Sequence, residues 1–265
     1  MCPNKPLKTL ISSGCITSSG FGDWMHEVQP KNGYILYNST QILQYGAFKE
    51  MREGQIDLVG QSPFLSTPAS SHGNGNSHTG PVAVALKQPY LHNRNINHGL
   101  DSLSSLLSTL PLSPDNQVKE LAADSLSIQW AGALLQDVYE FVASYQSGSA
   151  TLPFTIPQFR FVVSGLAMTN IPGKGPEEKE VFLVEELIRS NGPWRKYINN
   201  NSSRPCQFSD NENIRRTEFL AFCQHVQYWR TGGLVFTSDF QGEPHPYCLD
   251  IALTENRHRG GYSPD

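Results

Sequence analysis

The chain has 265 residues, of which 38% are hydrophobic and 17% are charged, and its formal net charge is −4. This length is sufficient for one large domain or for two lobes with a real hydrophobic core. Because the charge balance shows no strong basic excess, the composition disfavours a nucleic-acid partner. The sequence contains no apolar run of about 20 residues, so it predicts no membrane-spanning segment.

The five cysteines are odd in number, and none follows Cys-x-x-Cys spacing. This pattern disfavours a disulfide framework and favours a reducing compartment. The N-terminal residues also lack the continuous apolar segment that a signal peptide needs. We therefore expect a soluble, cytoplasmic protein.

The first half of the chain begins with a Ser/Gly-rich stretch, residues 1–33, which the sequence predicts as a leader or as opening strands. Residues 34–37 and 42–43, and then 54–59, have the composition of strands. Gly46, in Gly46-Ala47-Phe48-Lys49, supplies the turn between them. Such a hairpin is able to cover a phosphate, although an ordinary hairpin has the same pattern.

A polar tract over residues 61–80 predicts a surface loop, because it has little apolar area to bury. A β-branched strand follows over residues 81–90, with Pro89 at its end. It carries one lysine, Lys87. A lysine at the end of a strand usually faces solvent. After a hairpin with a glycine turn, however, Lys87 lies where a nucleotide-binding lysine is expected.

A second polar insertion covers residues 91–116 and leads into a predicted helix over residues 116–145, with Asp115 as its N-cap. The apolar residues of this segment recur at helical spacing. Glu120 on the helix is either solvated or paired with Lys87. Residues 158–164 then predict a strand.

A buried strand is predicted over residues 181–188, and it carries two adjacent carboxylates, Glu185 and Glu186. At a strand end such a pair of residues is commonly solvated. The segment 192–201 follows, with Arg195-Lys196-Tyr197 before a run of asparagines.

Residues 218–242 hold the strongest pattern in the chain. An apolar and aromatic helical run ends near Thr231, a turn follows at Gly232-Gly233, and residues 234–236 predict a buried strand. This strand leads to Asp239 and Gln241. A carboxylate and an amide two residues apart are suited to a hard cation such as Mg²⁺, although a plain turn at the end of a strand has the same pattern.

Three motifs in this stretch resemble the core of the α-type atypical protein kinases, and most of all the expanded fungal members. These motifs are His225-Val226-Gln227-Tyr228, Thr231-Gly232-Gly233 and Ser238-Asp239-Phe240-Gln241-Gly242. The Phe48-Lys49 pair after Gly46, the strand of Lys87 and the block 183–201 also match. The resemblance covers roughly residues 34–242, extending to 254 at most.

The resemblance implies a role for each matching residue. Lys87 would hold the phosphates of ATP, and Asp239 with Gln241 would hold Mg²⁺ and orient the reaction. The remaining nucleotide contacts would come from the glycine turn and from the hinge between the lobes, namely Gly46, Phe48, Lys49, Glu185 and Glu186. Asp250 follows Gln241-Gly242 at about the sequence spacing of a further essential aspartate in the family. The Thr and Pro-Gln neighbours that accompany that aspartate in the family are missing here.

The resemblance also assigns His225 to the first histidine of a structural zinc site. The downstream His and two Cys partners are absent from the sequence. Because zinc needs four ligands to close a structural site, His225 is at most a remnant of one. The chain therefore looks like a member that is truncated or degenerate at its C-terminus.

We predict an α+β, two-lobed kinase-like fold within residues 34–265. An N-lobe with an antiparallel sheet and the long helix would extend to about residue 184, a hinge would occupy 185–188, and a shortened C-lobe would fill 189–265. The implied activity is ATP- and Mg²⁺-dependent phosphorylation of serine or threonine in an unidentified protein. The alternative is an inactive pseudokinase or nucleotide-binding scaffold.

Overall fold

The computed structural model describes residues 31–46, 49–59, 81–92, 109–146, 154–171, 173–175, 178–189, 194–199, 204–242 and 248–255. These residues belong to two compact units. The described parts of the first unit lie within Phe21–Leu126 and Val163–Ile188, and those of the second within Ser127–Val162 and Arg189–Asp265. Neither of the helices in these ranges is long and apolar enough to cross a membrane.

Eleven strands and two helices make up the described part of the chain. In chain order they are β1 (Gly33–Tyr37), β2 (Gln44–Tyr45), β3 (Lys49–Leu58), β4 (Val82–His92), β5 (Thr109–Pro111), α1 (Pro114–Gln146), β6 (Arg160–Phe161), β7 (Ser164–Asn170), β8 (Lys179–Glu186), β9 (Arg195–Lys196), α2 (Asn211–Arg230), β10 (Val235–Gly242) and β11 (Cys248–Glu255). The mixed helix and strand content confirms the predicted α+β class.

The first unit is built on an antiparallel sheet with the strand order β1-β3-β4-β8-β7, to which β2 adds at β3 and β5 at β4. Side chains of a strand alternate between the two faces of a sheet, so every second apolar residue enters the core. The buried cluster consists of Ile56, Val84, Leu86, Phe182 and Val184. The predicted strands at residues 34–37, 54–59 and 181–188 are thus confirmed, with small shifts at their ends.

Two details of this sheet differ from the sequence prediction. Residues 42 and 43 precede the short strand β2 instead of forming a strand themselves. Pro89 does not end its strand, because β4 continues to His92. The pairing of β4 with β8 ends at Lys87, so at Pro89 the strand pairs with β3 alone. A proline lacks the backbone N–H and is tolerated where a strand has lost a neighbour.

Helix α1 begins at Pro114, so Asp115 lies in its first turn and is not the N-cap. Proline suits the first helical position, where its missing N–H has no partner to lose. Gln117 fastens this end of the helix to the sheet. Its amide nitrogen donates to the Leu112 carbonyl at 2.7 Å, and its amide oxygen accepts the Val181 N–H at 3.1 Å.

The predicted apolar stripe of α1 is confirmed. Its members are buried apart from Val118, which is partly exposed; they are Leu121, Ala122, Ile128, Ala131, Leu134, Leu135, Val138 and Val142. The single strand predicted over residues 158–164 is wrong, because β6 and β7 are separate strands that belong to different units.

The second unit combines α1 from Ser127 onward with α2 and a four-stranded sheet of order β6-β11-β10-β9. β10 is antiparallel to both of its neighbours, whereas β6 and β11 are parallel. The core of this unit is rich in aromatic side chains and contains Leu135, Val138, Phe159, Tyr197, Ile198, Phe219, Leu220, Cys223, Val226 and Phe240.

Several predicted segments lie outside the described residues. These are the leader up to residue 30, the polar loop 61–80, most of the insertion 91–116, and Phe48 with its neighbour Ala47. The predicted domain boundaries and the hinge at 185–188 remain predictions.

Candidate functional site

Lys87 and Glu185 form an ion pair across two neighbouring strands of the first unit, with 2.6 Å between Nζ and Oε2. In the register of β4 and β8, Ala85 lies opposite Glu185 and Lys87 lies opposite Leu183. The two charged residues are therefore diagonal neighbours on one face, at a separation that a long side chain spans. The lysine side chain is 21% exposed and the carboxylate 6% exposed, so the pair is largely withdrawn from solvent.

Lys49, the last residue of the predicted glycine turn, lies at the start of β3. Its Nζ is 2.6 Å from an oxygen of Asp124 on α1. The turn itself closes with a 2.7 Å hydrogen bond from the Gly46 N–H to the Lys49 carbonyl, while Phe48 lies outside the described residues. Of the two alternatives predicted for Glu120, the solvated side chain is confirmed, because Glu120 is exposed on α1. Lys87 pairs with Glu185.

A β-bulge in β10 surrounds Asp239 in the second unit. Ser238 pairs with Ala252 of β11, yet Gln241 pairs with Asp250, so three steps on β10 match two steps on β11. Asp239 has a φ of 56°, the one positive φ among the described non-glycine residues. Aspartate tolerates this left-handed backbone better than most residues, and bulges of this kind re-aim side chains beside active sites.

The bulge reverses the side of β10 that is buried. Before it the alternating buried residues are Val235 and Thr237, with odd numbers, and after it they are Phe240 and Gly242, with even numbers. Ser238, where the bulge begins, is buried as well. Asp239 and the other predicted metal ligand two residues later are consequently only partly buried. Without the extra residue, Asp239 and Gln241 would lie on the same buried side of the strand as Val235 and Thr237.

Asp239 has a partner that the sequence prediction missed. Lys196 of β9 places Nζ 2.5 Å from Oδ1 of Asp239, and its backbone lies in register with Gln241. The lysine side chain is 41% exposed and the aspartate 14% exposed. Ser238 reinforces this junction because its hydroxyl donates to the Asn199 carbonyl at 3.0 Å. The sequence places Lys196 in an Arg-Lys-Tyr motif that resembles the family, and the structure adds its contact with Asp239.

The turn that precedes β10 is confirmed. The Thr231 N–H caps α2 by bonding to the Gln227 carbonyl at 3.0 Å. Gly232 and Gly233 follow with φ values of 64° and 84°, which glycine adopts without steric cost. The predicted buried strand begins one residue late, because Leu234 is 59% exposed and precedes β10.

Two buried amides of α2 fix the first half of β10. Gln224 donates from Nε2 to the Thr237 carbonyl, and the Thr237 N–H donates to Oε1 of Gln227, both at 2.8 Å. Both glutamines are almost fully buried, so these bonds replace water for the backbone of the strand. The helix thereby holds β10 just ahead of the bulge.

Tyr197, next to Lys196, anchors β9 in the core of the second unit. Its side chain is fully buried, and burial raises the pKa of its hydroxyl against the opposing effect of Arg216. The hydroxyl of Thr217 donates to the Tyr197 carbonyl at 2.8 Å. Asp210 caps α2, and hydrogen bonds from the Asn213 side chain and backbone lower the pKa of its carboxyl.

The remaining predicted residues lie apart from these pairs or have only a backbone position. Asp250 is opposite Gln241 in the β10–β11 register, and Glu186 is opposite Val84 in the β4–β8 register. His225 is exposed on α2. The residues that the structure describes contain no group of three or more His, Cys, Asp or Glu arranged to hold a metal, so a structural zinc site does not fit them.

The sequence profile of the alpha-kinase family matches residues 127–262, just over half of the chain. The chain belongs to the alpha-kinase family, as its motifs predict. The fungal subtype and the truncation are not tested and stay predictions.

Solved structures of the alpha-kinase domain of myosin heavy chain kinase A are similar to this chain. The complex with AMPPCP has 11% identity and a TM-score of 0.45, and the match covers 85% of this chain and 75% of that chain. For the complex with AMP-PNP the values are 12% identity, a TM-score of 0.45, and coverage of 85% and 76%. No curated protein sequence matches significantly.

Proposed function

We propose that this member of the alpha-kinase family binds ATP with Mg²⁺ and transfers the γ-phosphate to serine or threonine hydroxyls of proteins. The observation that carries the proposal is the bulge in β10, which gives Asp239 a left-handed backbone and a partly exposed carboxylate. A non-glycine residue in this conformation costs folding free energy and is characteristic of functional sites. The nucleotide complexes of the similar kinase domains point in the same direction.

Lys87 would neutralise negative charge on the phosphates, as a nucleotide-binding lysine does in kinases. Its ammonium contacts Glu185, and the lysine side chain is 21% exposed. Gly46, Phe48 and Lys49 would cover the nucleotide, and Glu185 or Glu186 would contact it at the hinge.

Asp239 and Gln241 would hold Mg²⁺, since a carboxylate and an amide oxygen are ligands that this ion prefers. The 2.5 Å contact with Lys196 supports this role, because the Asp239 carboxylate already has a cationic group beside it. A bound Mg²⁺ supplies neutralisation of the charge that develops on the transferred phosphoryl group. Asp250 would be the further acidic residue beside Gln241.

The test is transfer of labelled γ-phosphate from Mg-ATP to the protein itself and to a mixed protein acceptor. We expect incorporation by the wild type, and loss of at least about a hundredfold in Lys87→Ala and in Asp239→Ala, because each removes a charge that acts on the phosphates. Lys119→Ala, at an exposed position of α1, is the matched control and should keep full activity.

A nucleotide-binding scaffold without transfer is the second candidate. It is favoured by the two ion pairs, because Lys87 and Asp239 each already have an opposite charge within 2.6 Å. Folded protein that binds Mg-ATP but incorporates no label would establish this candidate and overturn the kinase. The substrate of a kinase, or the partner of a scaffold, would be sought among cytoplasmic proteins, since the cysteine pattern favours a reducing compartment.

A further inference from the structure

A stripe of polar side chains on α2 and its C-terminal cap contacts the backbone of β10 ahead of the bulge. The stripe consists of Gln224, Gln227 and Thr231, whose spacing of three and four residues places them on one side of the helix. The two glutamines bond the carbonyl and the N–H of Thr237, both at 2.8 Å, and the Val235 N–H donates to the Thr231 hydroxyl at 3.3 Å. Residues two apart on a strand direct their backbone groups to the same edge, so the stripe takes the place of a neighbouring strand here.

The bonds to Thr237 leave three polar side-chain atoms unused. Gln224 bonds through Nε2 and leaves Oε1, whereas Gln227 bonds through Oε1 and leaves Nε2. The third atom is Oγ1 of Thr237. Within the part of the chain that the structure describes, these three atoms have no hydrogen-bond partner and no access to solvent. Their residues are, in chain order, 5%, 0% and 0% exposed, so bulk water does not compensate for the missing bonds.

The three unused atoms surround one residue. The two polar atoms of a glutamine amide share one carbon, and the hydroxyl of a threonine lies two bonds from its Cα. Because both amides bond the backbone of Thr237, each unused atom lies beside that backbone. Their hydrogen-bonding capacities are complementary, since Oε1 of Gln224 only accepts, Nε2 of Gln227 only donates, and Oγ1 of Thr237 does both. A small molecule that both donates and accepts would satisfy all three.

The chemistry of these atoms selects the ligand. Buried polar groups without a partner are strongly unfavourable, and most such groups bond to protein or to ordered water. A cation does not suit the site because Gln227 presents N–H groups, and an anion does not suit it because Gln224 presents an oxygen. Either ion would also lose its hydration without gaining an opposite charge. Water is neutral, donates and accepts, and makes about three hydrogen bonds when it is buried in a protein.

We propose that one water molecule is buried between α2 and β10 and is bound by Gln224, Gln227 and Thr237. The water accepts a hydrogen bond from Nε2 of Gln227 and donates to Oε1 of Gln224 and to Oγ1 of Thr237. It completes the hydrogen bonds that hold β10 two residues before Asp239. The site is independent of the proposed kinase activity, because all of its bonds are internal to the second unit.

The direct test is a crystal structure of the full chain at a resolution that shows ordered waters. We expect one isolated density peak at about 2.5–3.2 Å from Gln224 Oε1, from Gln227 Nε2 and from Thr237 Oγ1. A structure without this peak would overturn the inference, whether the three side chains bond one another or another side chain fills the space between them.

Urea denaturation of Thr237→Val tests the site in solution, because valine has nearly the same shape and Oγ1 of Thr237 makes no bond within the described protein. If the hydroxyl binds a water, its removal should lower the equilibrium constant for folding about fivefold. The matched control is Thr217→Val, which removes a buried hydroxyl that bonds the Tyr197 carbonyl and should cause a similar loss. Removing a hydroxyl without any partner would be neutral or stabilising, so an unchanged or higher midpoint for Thr237→Val would overturn the inference.

Discussion

A close ion pair at a predicted site residue occurs in each unit, Lys87–Glu185 in the first and Lys196–Asp239 in the second, but the backbones aim the charged residues differently. In the first unit, an uninterrupted antiparallel register brings Lys87 and Glu185 together as diagonal neighbours. In the second, an extra residue in β10 turns Asp239 out of the buried side of its strand and toward Lys196. Both carboxylates are largely buried, at 6% exposure for Glu185 and 14% for Asp239, but Lys87 is 21% exposed and Lys196 is 41% exposed. The second pair also carries the backbone strain of the bulge.

The difference in burial should appear first in stability. We expect Lys87→Met to lower the free energy of unfolding by about 2 kcal/mol, because it leaves the buried Glu185 without its lysine. Lys196→Met should cost only about 0.5 kcal/mol, since that lysine is 41% exposed and screened by water. Urea denaturation of the two variants measures both values, and equal losses would contradict the contrast between the pairs.

The backbone of the bulge gives the second prediction. Asp239→Val places a β-branched residue at a φ of 56° and should lower the free energy of unfolding by about 1–2 kcal/mol relative to Asp239→Gly. Both substitutions remove the contact with Lys196, so their difference isolates the backbone. Denaturant midpoints that coincide for valine and glycine would show that the left-handed conformation is not maintained.

The sequence predicted the regular parts of this molecule well. Short continuous apolar runs located β4 and β8, and with them Lys87 and Glu185. It did not predict that these two residues meet, because the register between strands far apart in the chain is set by tertiary packing and by neither strand alone. Their pairing became visible only when β8 lay beside β4.

The irregular parts of the molecule were harder to predict from the sequence. Gly232-Gly233 predicted a turn, since glycine permits a positive φ, but no residue type at or near Asp239 predicts a bulge there. The contact of Lys196 with Asp239 was not predicted for the same reason, because it depends on the pairing of β9 with the bulged strand β10. The prediction that Pro89 ends its strand was wrong, because a proline is tolerated where its missing N–H would not have been needed by a neighbouring strand, and β4 has only β3 beside it at Pro89.

Alkaline pH gives the third and smallest expected effect, through partly buried tyrosines in the two units. Burial is the main cause that raises the pKa of Tyr139 above its ordinary value of 10.0. Its hydroxyl donates to the Pro157 carbonyl at 3.0 Å and accepts the Phe159 N–H at 2.6 Å. The stabilisation from the neutral hydroxyl is therefore complete below pH 10 and is lost as the pH rises further, when the unfolded chain loses its proton first.

We accordingly expect Tyr139→Phe to reduce the decline of stability above pH 10 by up to about 1 kcal/mol per pH unit relative to the wild type. Tyr37 of the first unit also has a raised pKa, from burial first and then from its hydrogen bond to Glu180, so some decline should remain. Chemical denaturation at pH 8, 10 and 11 gives the slopes. Parallel curves for the two proteins would contradict the role assigned to Tyr139.

The central claim is that the charge of Asp239, presented by the bulge, serves phosphoryl transfer. The most direct measurement is labelled γ-phosphate transfer by the wild type and by Asp239→Asn, because asparagine tolerates the same positive φ but carries no charge. We predict that the variant keeps the wild-type unfolding free energy within about 1 kcal/mol and loses activity by at least about a hundredfold. Activity in Asp239→Asn equal to that of the wild type, or no transfer by folded wild-type protein, would contradict the claim.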